Sequence, residues 1–248
     1  MSQIWGLVES VQVVAYLQLF AAKIPGNVQT FLSFFMEITE FEVLPAEKWT
    51  EQMMYDPESV APSINFQQAG HESALLVPNL GSLFYIMIGY VGLYVFYFFI
   101  VWPLTWLCPK IKKVTDKMKN FLLWNGSIRF FIESYIQITL FTVLNLKAFE
   151  WDADWTLISL SHVLAIVSMA VVTLLPIALI IYYACNINKW WDEKFCESKG
   201  AFLEGTDLDR MFDQWIVLLV PLSYFLRRLF MSFTLVFWID FLWGQLFI

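Results

Sequence analysis

The sequence predicts an all-α fold, a polytopic transmembrane helix bundle of about five spans plus interfacial amphipathic helices. Three observations carry this. Of 248 residues, 59% are hydrophobic and 15% charged, whereas soluble domains sit near half apolar with about a quarter charged. The excess lies in long unbroken runs rather than in alternation, the pattern of bilayer-crossing helices. Lysines crowd one side of the runs, between Pro109 and Asn120, and carboxylates crowd the other, an asymmetry that orients membrane proteins.

The first run, Ile4 to Ala22, is interrupted by Glu9, Gln12 and Gln18. It reads as a span over about 4–22 that turns a polar face toward other helices, or as an interfacial helix in the membrane plane. Pro25 and Gly26 end it, and Asn27 can cap the next helix. Val28 to Phe41 places Phe31, Phe34, Phe35 and Ile38 at helical spacing and predicts an amphipathic surface helix. Residues 42–79 form the one long polar stretch, with four prolines and an excess of carboxylates. They read as a non-cytoplasmic loop, and their length suggests packing on the helices or on a partner.

Leu80 to Trp106 is the clearest span, closed by Trp102 and Trp106 at an expected interface. Lys110, Lys112, Lys113, Lys117 and Lys119 come next and mark segment 107–126 as cytoplasmic. They can also attract anionic lipid. The next span, 127–146, returns outward through the acidic turn Lys147 to Asp154. The run over 155–184 comes back in, with Pro176 inside it to kink it. Segment 185–228 is expected to be cytoplasmic. Gln214 to Ile248 is too long for one straight span, since 35 residues would rise roughly 50 Å against a core of about 30 Å. Arg227 and Arg228 divide it, so the reading places both at the cytoplasmic interface and the last span over 229–248. The alternative puts both in mid-membrane, at a cost of several kcal/mol unless paired. The whole chain reads as a single membrane domain, 1–248.

Composition and motifs exclude several functions. The net charge of -7 argues against a nucleic-acid partner. Three cysteines, Cys108, Cys185 and Cys196, with no CxxC spacing make neither a disulfide framework nor a zinc site. Cys108 and Cys185, at predicted cytoplasmic helix ends, read as small apolar residues or as S-acylation sites. No Walker sequence, GxSxG or GxGxxG occurs. The expectation is therefore no enzyme, no cofactor and no metal site. His71 and His162 fall on segments of different kind and form no ligand set.

Several local patterns together resemble the membrane region of transient-receptor-potential-like proteins of fungi and protists, closest to the C-terminal multi-pass region of large cysteine-rich ciliate membrane proteins. They are LVESVQVVAYLQLFAAKIPGNVQTFLSFF with FEVLP after it; GHESALLVPNLGSLF entering a span; LLWNGSIRFFIESYIQITLFTVLNL; GAFLEG; and YFLRRLF with Gln245 near the end. The likeness is scattered from about residue 7 to residue 245. It implies a cation-channel or transport component and favours the plasma membrane. Proteins of this kind carry a large cysteine-rich domain ahead of this region and further spans after it. The present sequence contains neither, so a truncated relative serving as a structural subunit is the other expectation.

The residues that can carry such functions are few. Arg129 and Glu133, four apart, share one helix face that Gln137 continues. This polar stripe lines a pathway, or it is a neutralised pair holding the helix against its neighbours. Glu9, His162 and Asp240 stand isolated in apolar runs. His162 is expected to hydrogen-bond a neighbouring helix or the head-group zone, with a proton relay as the sharper alternative. The acidic residues from Glu37 to Glu58 either concentrate cations at a pore mouth or form a solvated loop surface. The expected partners are membrane lipid and either other membrane subunits or further copies of the chain.

Overall fold

In lipid a backbone has no water to bond, so an apolar run must satisfy its own N–H and C=O groups by coiling into a helix. A computed structural model describes residues 10–20, 24–39, 63–107, 112–149, 157–192, 195–196, 199–203 and 214–238. Every regular element among them is helical. Among the described residues four helices are long and apolar enough to cross a membrane: α5 (Ser82–Trp106), α7 (Gly126–Lys147), α8 (Leu157–Cys185) and α9 (Gln214–Phe237). The protein is thus an all-α membrane bundle. Shorter helices join them: α1 (Ser10–Leu19), α2 (Gly26–Thr39), α3 (Ile64–Gln68), α4 (Leu76–Leu80) and α6 (Lys112–Asn120).

The described part of the expected first span is α1, which closes on a 3-10 turn at Tyr16–Leu19. The rest of that run, residues 4–9 and 21–22, lies outside the described residues, as does Glu9. The amphipathic helix expected over 28–41 is α2, which buries Leu32 and Met36 and exposes Phe31 and Phe34.

The last long helix is continuous where the sequence suggested a division at the arginines: it runs unbroken from Gln214 to Phe237, with Pro221 and both arginines inside it. Residues 239–248, with Asp240, lie outside the described residues.

The described chain divides into two compact bodies: residues 1–84, 135–176 and 224–248, and residues 85–134 and 177–223. In the first, the described end of the expected loop is folded. Ser63 caps α3 by accepting the Phe66 N–H. Phe66, Leu75, Leu76, Val77 and Leu80 are buried there, and the His71 ring stands edge-on to Phe141 at 4.6 Å. Most of ALLVPNL is therefore core, while Gly70 and Glu72 before it are exposed.

In the second body, α5 widens into a π turn at Tyr97–Val101, where Trp102 N–H reaches back to the Tyr97 carbonyl. Pro103 explains it: with no N–H and a ring that crowds the Phe99 carbonyl, it forces the preceding turn open. A second π turn, Phe121–Asn125, joins α6 to α7. Beyond α8, Trp190 is buried and donates its indole N–H to the Tyr183 carbonyl at 3.2 Å. The Lys199 ammonium sits 4.3 Å from the Trp124 ring centre and 5.1 Å from that of Tyr182, and it hydrogen-bonds the Tyr182 hydroxyl.

Helix α7 is the most enclosed span. It is 78% buried over its apolar window, against 6% for α5. The side chains of α5 that stay open, among them Val91, Val95, Phe99 and Trp106, are of the kind lipid solvates.

Candidate functional site

Successive residues on a helix point about 100° apart, so Arg227 and Arg228 cannot share an environment. Arg227 is exposed. Arg228 is buried, with 1% of its surface open. Both lie near the middle of Ile216–Phe237, a candidate span by length and composition; at mid-membrane, the alternative that the sequence left open, Arg228 has local partners. The Arg228 guanidinium lies over the Tyr224 ring, 4.1 Å from its centre, and donates to the Gln12 side-chain oxygen of α1 at 3.3 Å. An arginine at the centre of a span costs about 2.5–3.5 kcal/mol on insertion scales. An aromatic face one turn earlier and a polar side chain from another helix offset part of that cost, so α9 need not stop.

Beside Arg228 in the same body, Tyr135 of α7 meets Phe225 edge-on at 4.7 Å. Its hydroxyl donates to the Val172 carbonyl of α8 at 3.2 Å. That carbonyl is the one Pro176 leaves without a donor, since position 176 has no N–H to reach back four residues. A tyrosine on α7 thereby satisfies the backbone gap in α8, as intramembrane prolines require.

A second polar cluster joins three elements of this body. Asn145 of α7 donates its amide to the Ser161 hydroxyl of α8 at 3.1 Å. The same hydroxyl accepts the Leu76 N–H at the start of α4 at 3.1 Å. The Asn145 carbonyl oxygen faces His162 Nδ1 at 2.9 Å, with the Phe149 ring edge-on to the imidazole at 5.0 Å. Asn145, Ser161 and His162 are all buried. The amide orientation makes Nδ1 the protonated nitrogen. The amide oxygen is too weak a base to take up that proton near neutrality, so this contact fixes the ring. His162 thus bonds a neighbouring helix, one of the two expected readings. Lys147, at the end of α7, donates to the Val236 carbonyl at 2.7 Å, meeting the partial negative charge of the α9 C-terminus.

Of the expected stripe, Arg129, Glu133 and Gln137 lie on successive turns of α7. Glu133 and Gln137 are buried and Arg129 is half-buried. Lys112 and Lys119 are exposed on α6. Lys113 and Lys117 belong to the same helix, and their side chains, like all of Lys110, fall outside the described residues. The acidic residues 40–58 also fall outside them. Among the described residues no cluster of three or more histidines, cysteines or carboxylates can hold a metal ion.

Sequence reasoning passed over Asn145, Ser161 and Tyr135 as carriers of the bundle. Only Pro176 signalled one of them, since a proline inside a span demands a donor for the carbonyl four residues back. No protein-family profile matches the chain, and neither a curated protein nor a solved structure matches it significantly.

Proposed function

We propose that this protein is a helical subunit of a larger membrane assembly, holding rather than conducting. The observation that supports it is the use made of the buried polar side chains. Asn145, Ser161 and His162 are engaged with one another and with the Leu76 N–H. Tyr135 is engaged with the Val172 carbonyl, and the exposed Lys147 adds a bond to the Val236 carbonyl. Groups so used fix helix against helix and are not free to shed and regain bonds to a passing ion. The test is extraction from the native membrane in mild detergent, then mass and composition of the particle. Fixed stoichiometry with other membrane proteins is the expected result. A chain that elutes alone contradicts it.

A second reading is transport, as a cation-channel-like component. The buried Arg228 in mid-span and the buried Glu133 on α7 favour it, because intramembrane ionisable groups commonly mark ion paths. The resemblance to transient-receptor-potential-like proteins points the same way. Cation flux into proteoliposomes holding the purified chain, lost in Arg228→Gln, would establish this reading over the first.

A further inference from the structure

Arg227 stands where the described residues of the chain offer it nothing. It is exposed and lies within the candidate span Ile216–Phe237, about 15 Å along the axis from either end at 1.5 Å per residue. That is too deep for its side chain to reach the head groups. No described residue partners it. Of its exposed neighbours on the same stretch of α9, Leu226 and Phe230 are apolar, and Ser223, one turn earlier, donates its hydroxyl to the Val220 carbonyl at 2.8 Å. An exposed guanidinium at mid-span needs a water-lined face or a partner that accepts its hydrogen bonds, and of such partners a carboxylate also cancels its charge.

We infer that this face of α9 docks a transmembrane helix of another protein, and that the docked helix carries an aspartate or glutamate at the depth of Arg227. Among the described residues a second copy of this chain offers no match: within the four candidate spans the one carboxylate is Glu133, and it is buried, while Glu9 and Asp240 lie outside the described residues. The planar guanidinium suits a two-point bond to a carboxylate. Leu226 and Phe230 would form the apolar rim that keeps lipid and water from the pair. The inference rests on the subunit reading and adds the partner's chemistry to it.

The experiment compares the particle extracted from native membranes for the wild type, Arg227→Gln and Arg227→Lys. The expected result is at least a tenfold loss of the bound partner in Arg227→Gln, partial retention in Arg227→Lys, and an unchanged melting temperature of the free chain, because Arg227 bonds no described residue within it. A photoreactive phenylalanine analogue at Phe230 should crosslink to a partner span containing Asp or Glu. Undiminished assembly in Arg227→Gln overturns the inference and leaves the subunit reading standing. A crosslinked span without a carboxylate, or a particle made only of this chain, overturns it as well. So does rapid reaction of Arg227→Cys with a membrane-impermeant thiol reagent, which would mean a water-lined face. A wild-type chain that elutes alone removes both readings together.

Discussion

Removing one oxygen from Tyr135 tests whether the proline in α8 depends on a neighbouring helix. Tyr135→Phe keeps the ring, and with it the edge-on contact with Phe225 at 4.7 Å. It deletes only the hydroxyl that meets the Val172 carbonyl at 3.2 Å. A hydrogen bond between membrane helices averages about 0.6 kcal/mol, with a maximum near 1.7. Leaving a buried carbonyl without a donor adds to that, toward about 1–3 kcal/mol in total. The contact is at the long end for an O–H donor, so a loss of about 1 kcal/mol is expected. The assay is reversible unfolding by SDS titration in mixed micelles, run also in a Pro176→Ala background. Alanine restores the N–H that can close on Val172, so Tyr135→Phe should then cost close to nothing. The two substitutions should therefore couple by about 1 kcal/mol, a value a double-mutant cycle resolves. Equal costs in the two backgrounds would refute the reasoning, because the tyrosine would then be doing something unrelated to the proline.

The polar contacts give two further expected outcomes. Asn145→Leu strips Ser161 and His162 of their amide partner and should destabilise by about 1–3 kcal/mol in the same titration, with Ser161→Ala less than additive to it; full additivity would mean the cluster is not one unit. Lys199→Gln removes the cation from the Trp124 and Tyr182 rings, a contact of about 0.5–1 kcal/mol at a part-exposed site, and should speed proteolysis between residues 186 and 203; an unchanged cleavage rate would count against the cage as a tie for that segment.

Apolar runs announced the helices, since run length against bilayer thickness is a local property. The span through Gln137 and Asn145 was legible as a helix, and its charged start suggested importance. Its deep burial depended on packing, which periodicity does not report. The arginines were read together, and the fold separates them. Adjacent charges invite treatment as a pair, yet helical geometry sends Arg227 outward and Arg228 into contact with Gln12, 216 positions away along the chain. No local rule joins Leu76 to Ser161 either, although the pair turns an apparent polar loop into core. Pro176 was the exception. Its missing N–H was visible in the sequence, and only the identity of the donor had to come from the fold.

The central claim is that α9 crosses the bilayer with its arginines at mid-depth. A nitroxide at Leu226→Cys, an exposed position on the same turn, measures this directly in a cysteine-free chain reconstituted into liposomes. Collision with oxygen should far exceed collision with a water-soluble nickel chelate, as at a bilayer centre. The reverse ratio would place the arginines at the interface and contradict the account.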